Sequence, residues 1–409
     1  MRAGVGYAND AGAFEAGRRA AGEAMRSGAV DAPDLVLAFC GSGVDAATFF
    51  RGVRAVVGPR APILGGSAIG VVTGDHLSYQ GAPAGVAVLE LDEPLPGVAA
   101  AGELDRDERE TGRRLGRALA AAAGSPMLLL FYDSIRVPAS ATTPPVMNAS
   151  RPLIAGLAEG LPGCPPVAGG GVIGDYSFSA TWQFCGDAAR QQHAAAALLP
   201  ASTRTCLQVM HGCNPMDGVP HVLTRVEGGV VHEIDGIAAA ERIDQVYGSP
   251  DWRNQRPVGR LTLGVRQGQP FELPGEDAWV NRLITGVMPD GKAVGLFEPD
   301  LEQGVEVLFM LRDPPLMIES ARAGSEAAVR RMREQGSRPR FALYVDCAGR
   351  AAAFSRTDTE EAAEVQAVMN RERVPLLGFY SGVEVAPMRG VSRGLDWTGV
   401  LLLLGEGGS

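Results

Sequence analysis

The stretch Pro62-Ile63-Leu64-Gly65-Gly66-Ser67-Ala68-Ile69-Gly70 decides the fold, because its pattern of a proline, apolar residues and glycines occurs twice more in the chain. The second copy is Pro166-Val167-Ala168-Gly169-Gly170-Gly171-Val172-Ile173-Gly174, and the third is Pro375-Leu376-Leu377-Gly378-Phe379-Tyr380-Ser381-Gly382-Val383-Glu384. Each copy follows an apolar run and an amphipathic stretch, and each precedes a further apolar run. We therefore predict a diverged internal repeat with pseudo-symmetry, whose glycine loops could share one cleft.

The runs that flank these copies indicate an α/β protein. Leu35-Val36-Leu37-Ala38-Phe39 is apolar throughout, which is typical of a strand in a sheet that is covered on both faces. Helical patterns at 10–27, 105–123, 148–161, 314–335 and 358–371 alternate with such runs. We predict mixed sheets built from strand, helix, glycine loop and strand repeats.

The pattern changes to short strands near Pro200. One example is the run 230–234, which the glycine pair 228–229 joins to the preceding run as a β-hairpin. We therefore predict two associated α/β domains, one over residues 1–202 and the other over residues 203–409.

The composition excludes several functional classes. With a formal net charge of -10 and no cluster of basic and aromatic residues, the chain lacks the footprint of a nucleic-acid-binding protein. It shows neither a signal peptide nor an apolar run of the roughly 20 residues that span a bilayer, so we expect a cytoplasmic protein without a membrane partner. The 6 cysteines form no C-x-x-C pair, which favours reduced thiols.

Several motifs in order resemble the FIST family, named for F-box and intracellular signal transduction proteins, in both its N-terminal and its C-terminal domain. The resemblance covers about residues 4 to 402. The segments that carry it are Pro33-Asp34-Leu35-Val36-Leu37, residues 65–70, Gly212-Cys213 with Pro215, Glu233-Ile234-Asp235-Gly236, Arg282, and Leu377-Gly378-Phe379-Tyr380 with Glu384. The chain departs from the common family pattern at His211 and Asn214.

The resemblance implies a sensory protein that binds a small ligand, an amino acid or a related metabolite. Some stand-alone members resemble haem-containing nitric oxide sensors that act on a histidine kinase or a cyclic-dinucleotide enzyme. Since no output domain is attached to this sequence, we expect the signal to pass to a separate partner.

Three side chains are the candidate ligand contacts. Arg282 stands in an otherwise apolar strand, where its guanidinium suits a ligand carboxylate; the alternative is a salt bridge to Glu384 or Asp235. Tyr380 and Glu384 belong to the third glycine segment and could together bind an amino group and a hydroxyl. Only this third copy carries such side chains, so we expect it to contact the ligand.

Backbone groups of the first two copies are further candidates. Gly66, Ser67 and Gly170 follow apolar residues, where exposed N–H groups could hold a carboxylate or a phosphate. The alternative is that these glycines only serve backbone conformations that other residues avoid. The spacing fits neither a dinucleotide fingerprint nor a P-loop.

His211 and Cys213 are two residues apart at a predicted strand end, which would place both side chains on one face. This pair suggests two alternative functions. His211 could be the axial ligand of a haem in a gas sensor. Cys213 could be the nucleophile of a thiol-dependent enzyme, although we find no nucleophile elbow and regard an enzyme as the weaker class.

Overall fold

A computed structural model of the chain describes residues 1–10, 12–119, 124–140, 145–268, 275–355 and 359–406. The first repeat sets the pattern for the molecule. Its elements are β1 (Arg2–Asn9), α1 (Ala13–Gly28), β2 (Leu35–Cys40), α2 (Ala46–Val57), β3 (Ile63–Ser67), β4 (Val71–Thr73), β5 (Leu77–Ser78) and β6 (Pro83–Glu90). Asp45 caps α2 by accepting a 2.8 Å hydrogen bond from the Thr48 N–H, which fixes where this helix begins.

The second repeat follows the same order, with one short hairpin added after its central strand. Its elements are β7 (Gly97–Ala101), α3 (Glu108–Ala118), β8 (Leu128–Asp133), β9 (Ile135–Val137), β10 (Val146–Met147), α4 (Ser150–Gly160), β11 (Val167–Val172), β12 (Gln183–Gly186), β13 (Ala189–Arg190) and β14 (Ala194–Leu198). Strands β9 and β10 pair only with each other among the described residues.

The third repeat is interrupted by an inserted β-rich unit. It begins with β15 (Thr203–Met210). The insert contains β16 (Cys213–Pro215), β17 (His221–Glu227), β18 (Val230–Ile234), β19 (Ile237–Ala238), α5 (Ala239–Tyr247), β20 (Leu261–Arg266), β21 (Trp279–Val287), β22 (Val294–Leu296) and β23 (Glu306–Arg312). The repeat resumes with α6 (Pro314–Glu334), β24 (Pro339–Cys347), α7 (Ala352–Ser355), α8 (Glu361–Glu372), β25 (Leu376–Ser381), β26 (Val383–Met388), β27 (Val391–Leu395) and β28 (Gly399–Glu406).

The three repeats exchange hairpins in a cycle. Their sheets have the strand orders β1-β6-β2-β3-β12-β13, β7-β14-β8-β11-β26-β27 and β15-β28-β24-β25-β4-β5. In each sheet four strands come from one repeat, and the last two form a hairpin of another repeat. The first repeat thus completes the third sheet, the second completes the first, and the third completes the second. This confirms the α/β class with mixed sheets and internal repeats.

The glycine segments run through the second strand of each parallel pair rather than through open turns. Gly65 in β3 has a φ of 125°, and Gly169 in β11 has a φ of 142°. A Cβ at Gly65 would lie 2.1 Å from the Ala38 carbonyl oxygen, and one at Gly169 would lie 2.0 Å from the Leu130 carbonyl oxygen. Only glycine fits both the backbone conformation and the close approach of the neighbouring strand.

The described elements form one interlocked body around a shared apolar core. Its largest cluster joins the inward faces of β2, β8, β24 and β25. The predicted domain boundary at residue 202 falls between β14 and β15, and the hairpin exchange extends the second and third sheets across it. No helix within the described ranges is both long and apolar enough to span a membrane.

Candidate functional site

A cluster of buried polar side chains lies where the parallel strands β24 and β25 end. Carboxyl ends of parallel strands are where open α/β sheets commonly bind ligands. Asp346 stands near the end of β24, and Tyr380 and Ser381 stand at the end of β25. The exposure of all three is 1% or less, so apolar strands hold polar groups away from water here. We call the site formed here the third-repeat site.

Tyr380 forms a hydrogen bond with a carboxylate at the residue before α8. Its hydroxyl donates a short hydrogen bond to Glu360 Oε2, and Glu360 Oε1 accepts a 2.8 Å hydrogen bond from the Ala352 N–H. Burial, together with the nearby charges of Asp346 and Glu360, raises the pKa of Tyr380 well above its usual value. The phenol therefore stays protonated at neutral pH and acts as a donor.

Arg350 lies between the side chains of Asp346 and Glu361. Its Nε is 3.0 Å from Asp346 Oδ1 and 2.6 Å from Glu361 Oε1, and its Nη1 donates to the Trp397 carbonyl at 3.0 Å. Burial raises the pKa of Asp346 well above its usual value even though the Arg350 charge opposes this. One guanidinium thus faces two carboxyl groups.

Glu384 belongs to a separate strand and turns towards Ser381. Its Oε1 accepts a 2.6 Å hydrogen bond from the Ser381 hydroxyl, and its Oε2 accepts one of 3.3 Å from the Thr398 N–H. Burial is the main cause that raises its pKa well above the usual range. Tyr380 and Glu384, which sequence reasoning grouped together, therefore contact different partners, and Ser381 is the residue between them.

Aromatic side chains from all three repeats lie near the residues of this site. The ring centroid of Tyr79 is 6.0 Å from that of Tyr380 in an edge-to-face arrangement. Tyr176 stacks on Phe354 with centroids 4.9 Å apart, and its hydroxyl donates to the Ala348 carbonyl at 2.7 Å. Tyr176 is 40% exposed, whereas Tyr380 is fully buried. We call Tyr79, Tyr176, Phe354 and Tyr380 the aromatic cluster.

Arg282 lies in the insert and forms a salt bridge with Asp300. Its Nε donates to Asp300 Oδ1 at 2.5 Å and its Nη2 donates to Asp300 Oδ2, while Nη1 donates to the Asn281 carbonyl at 2.8 Å. Burial lowers its pKa, but the charge of Asp300 outweighs this, and the net shift is upward. The predicted salt bridge thus exists with a different partner, because Glu384 binds Ser381 and Asp235 binds His221 at 2.6 Å.

The surroundings of His211 do not fit a haem ligand. Its Nδ1 accepts a 2.9 Å hydrogen bond from the Cys213 N–H, and its Nε2 donates to the Glu276 carbonyl at 2.9 Å. Neither nitrogen has a lone pair that faces open space, and the side chain is 1% exposed. Burial lowers the pKa of His211, which keeps the ring neutral for these two bonds.

Cys213 does not form a catalytic dyad with His211. The alternation predicted for this pair is interrupted, since β15 ends at Met210 and Gly212 has a φ of 61°. A Cβ at Gly212 would lie 2.5 Å from the Met317 backbone, so the chain turns there to pass α6. The imidazole consequently binds the Cys213 backbone, and burial raises the pKa of the thiol to about 12.

The structure places the remaining predicted contacts inside sheets. Ser67 N–H donates to the Trp182 carbonyl at 2.8 Å, and Ser67 Oγ accepts from the Trp182 N–H at 3.0 Å. Gly66 lies between β2 and β12, and Gly170 lies between β8 and β26 opposite Glu384. Of these three residues, Gly170 alone pairs with a strand that carries a member of the third-repeat site.

Sequence reasoning did not find the acidic residues of this site, which are Asp346, Glu360 and Glu361, nor their partner Arg350. One usable signal was that Asp346 ends a fully apolar run immediately before a glycine-containing turn. Among the described residues, no group of three or more His, Cys, Asp and Glu side chains is arranged to hold a metal ion.

Comparison with known proteins gives a consistent family match. The model of the FIST N domain matches residues 34–237, and that of the FIST C domain matches residues 239–387. Uncharacterized proteins of Mycobacterium bovis and Mycobacterium tuberculosis are each 26% identical over 184 residues, which is 44% of this chain and 46% of each relative. The chain thus spans about half the length of the curated relatives it matches.

Two solved structures are similar over 99% of this chain and 72% of their own length. They are PurLQS from Thermotoga maritima, at 11% identity and a TM-score of 0.21, and T. maritima PurL complexed with AMPPCP, at 10% identity and a TM-score of 0.22. These scores are too low to establish a common fold.

Proposed function

The chain belongs to the FIST family of sensory signal-transduction domains, and on this premise we propose that it binds a small metabolite at the third-repeat site. The ligand is an amino acid or a related amino compound. Tyr380 contacts it directly, Glu384 holds Ser381 in place, and Arg282 supports the insert through Asp300 rather than touching the ligand.

One observation carries the proposal: aromatic side chains of all three repeats lie near polar side chains that are buried at the ends of β24 and β25. Tyr79, Tyr176 and Tyr380 come from the first, second and third repeats, respectively. A ligand between them would contact all three repeats at once. Because the repeats share their sheets through exchanged hairpins, binding at this point can change the relative stability of two arrangements of the whole body.

We further propose that a separate partner, a histidine kinase or a cyclic-dinucleotide enzyme, recognises the ligand-bound arrangement. A ligand shifts such an equilibrium only by its different affinity for the two states. Tyr79 and Tyr176 are the side chains whose positions depend most directly on occupancy of the site.

A thermal-shift screen with amino acids and related metabolites tests the proposed site. Selective binding to the folded state raises the unfolding midpoint. We expect Tyr380→Phe to remove most of the ligand-dependent rise. The matched control is Tyr247→Phe, since among the described residues the half-buried Tyr247 hydroxyl has no hydrogen-bond partner. A ligand-dependent rise that is unchanged in Tyr380→Phe would refute the site.

A further inference from the structure

A cleft of about 460 Å³ lies at the amino end of β3, where the hairpin of β12 and β13 joins the first sheet. Its walls come from two repeats, and we call it the seam cleft. The first repeat supplies Arg54, in the last turn of α2, and the loop 59–62. The second repeat supplies residues 98–100 of β7, the turn 185–187, Arg190 and His193.

We propose that the seam cleft binds a phosphate dianion, which the guanidinium groups of Arg54, Arg60 and Arg190 hold. The first two arginines belong to the first repeat and the third belongs to the second repeat, so the bound anion contacts both. The seam cleft and the third-repeat site are lined by different residues. Binding at the seam cleft therefore does not depend on the function proposed for the other site.

Arg54 is fixed in place by main-chain carbonyl groups rather than by a carboxylate. Its Nη1 donates to the Gly58 carbonyl at 2.8 Å and to the Ala61 carbonyl at 2.5 Å, and its Nη2 donates to the Gly186 carbonyl. The guanidinium also lies over the Phe50 ring, 5.4 Å from the ring centroid. These neutral acceptors orient the guanidinium but leave its positive charge without a bonded anion.

Partial burial makes this charge costly in the empty cleft. Burial lowers the pKa of Arg54 below its usual value, and the charge of Asp187 opposes that effect only in part. Asp187 is itself 83% exposed, and its carboxylate lies 3.7 Å from Arg190, which is too far for a hydrogen bond. A bound anion would supply the opposite charge that Arg54 lacks.

The other cations of the seam cleft are available to an anion. Arg60 is exposed, and it has no hydrogen-bond or ion-pair partner among the described residues. The described lining contains three arginines and one aspartate, which gives a net charge of +2 when His193 is neutral. The seam cleft is therefore a positive region in a chain whose net charge is -10, and it attracts anions.

Arginines in two other clefts of the molecule already bind carboxylates. These pairs are Arg333–Glu372 and Arg371–Glu326 in a groove between α6 and α8, and Arg109–Glu159 and Arg151–Glu302 in a cleft between the helices α3 and α4 and the insert. Phosphate binding by arginine uses the same N–H groups that such carboxylates occupy. The seam cleft differs because none of its three arginines donates a hydrogen bond to a carboxylate of the described residues.

The volume of the seam cleft admits more than a single ion. Small-molecule sites in proteins commonly have about 300–1,000 Å³, and the seam cleft falls within that range. Pro62, Val98 and Ala99 give it an apolar wall beside the arginines. Inorganic phosphate and the phosphate ester of a small metabolite therefore share the chemistry that this cleft recognises.

Titration calorimetry with inorganic phosphate and with glycerol 3-phosphate tests the proposal, and glycerol is the uncharged control. We expect both phosphate compounds to bind and glycerol not to bind. Tighter binding of glycerol 3-phosphate would show that the organic part contacts the apolar wall, whereas equal or tighter binding of inorganic phosphate would identify the ion itself as the ligand. Absence of binding by both phosphate compounds at millimolar concentration would overturn the inference.

Two surface variants locate the binding. Arg60→Gln and Arg190→Gln each remove a charge from an exposed side chain, and each should weaken phosphate binding roughly tenfold while the protein stays folded. Arg51→Gln is the matched control, because it removes the same charge from an exposed position of α2 outside the cleft. Tyr380→Phe should leave phosphate affinity unchanged. Phosphate affinity that is unaltered in the Arg60→Gln/Arg190→Gln double variant, or reduced as much by Arg51→Gln, would contradict the site.

Discussion

Phe39 stacks on Phe379 at the centre of the molecule, with ring centroids 3.9 Å apart and ring planes at 9°. Phe131 contacts both rings edge-to-face, at 5.5 Å and 5.9 Å. The three rings come from β2, β8 and β25, so each repeat contributes one. The three repeats therefore meet in an aromatic cluster that no single repeat, and neither half of the chain, can form alone.

Replacement of Phe39 by alanine should destabilise the whole molecule rather than the N-terminal half. Loss of a fully buried phenylalanine reduces the free energy of unfolding by about 3–5 kcal/mol. We expect a single urea transition, shifted to lower denaturant, when it is followed by far-UV circular dichroism and by tryptophan fluorescence. Phe14→Ala, at an exposed position, should change stability by less than about 0.5 kcal/mol. Two separate transitions in Phe39→Ala would contradict a shared core.

The exchanged hairpins predict that residues 1–202 do not fold alone. In that fragment β4, which forms a hairpin with β5, loses its partner β25, and the edge of β11 loses β26. We expect an aggregating or molten fragment with no near-UV circular dichroism. Co-expression with residues 203–409 should restore a soluble complex that co-purifies and unfolds cooperatively. A monomeric, cooperatively folded 1–202 fragment would refute the prediction.

The sequence was sufficient to predict the repeats and the α/β class, because the apolar runs and the glycine positions are local signals. The hairpin exchange was not predictable from it, since β4 pairs with β25 about 300 residues away and no local pattern encodes that partner. The partners of Tyr380 and Glu384 were not predictable from the sequence either. Their types suggested a site, but their separate partners Glu360 and Ser381 depend on tertiary placement.

Thiol reactivity should distinguish Cys164 from Cys213. Cys164 is half-buried, while Cys213 is buried, and burial raises the pKa of Cys164 to about 11 and that of Cys213 to about 12. We expect iodoacetamide to modify Cys164 first in the native protein and Cys213 only on unfolding, as measured by peptide mass spectrometry. Cys164→Ser should remove the first modification. Rapid modification of Cys213 by iodoacetamide in the native protein would support the hypothesis of a thiol-dependent enzyme.

Glu298 should make stability fall as the pH rises. Burial, followed by the nearby Asp300 charge, raises its pKa from 4.5 to about 8, so the folded state holds this proton more tightly than the unfolded state. Stability from this group is present below about pH 4.5 and is lost as the pH rises towards 8, by at most about 1.4 kcal/mol per pH unit. Asp396, with a pKa raised to about 6, acts in the same direction at lower pH.

A comparison of the Glu298→Gln variant with the parent protein tests this pH dependence of stability. The amide oxygen can still accept the 2.8 Å hydrogen bond from the Ser150 N–H, while the titration is removed. We expect the variant to gain stability relative to the parent protein in urea titrations as the pH rises from about 5 to about 8. The control is Glu302→Gln, whose side chain is 69% exposed. A stability difference that is constant over this range would exclude a raised pKa.

Arg282 and Asp300 should behave as a buried structural pair. Arg282→Met leaves Asp300 without its partner, and removal of one member of a buried ion pair reduces stability by about 3–5 kcal/mol. Adding Asp300→Leu should recover a substantial part of that loss, since no isolated charge remains. The coupling energy from the double-mutant cycle, measured by urea unfolding, should therefore be large.

The same double variant separates structure from ligand binding at Arg282. Because the guanidinium is already taken up by Asp300, we expect the ligand-dependent rise in the unfolding midpoint to persist in Arg282→Met/Asp300→Leu while it disappears in Tyr380→Phe. Loss of the ligand response in the stable double variant would indicate that Arg282 contacts the ligand directly. It would then mean that the ligand approaches through the insert rather than past Tyr176.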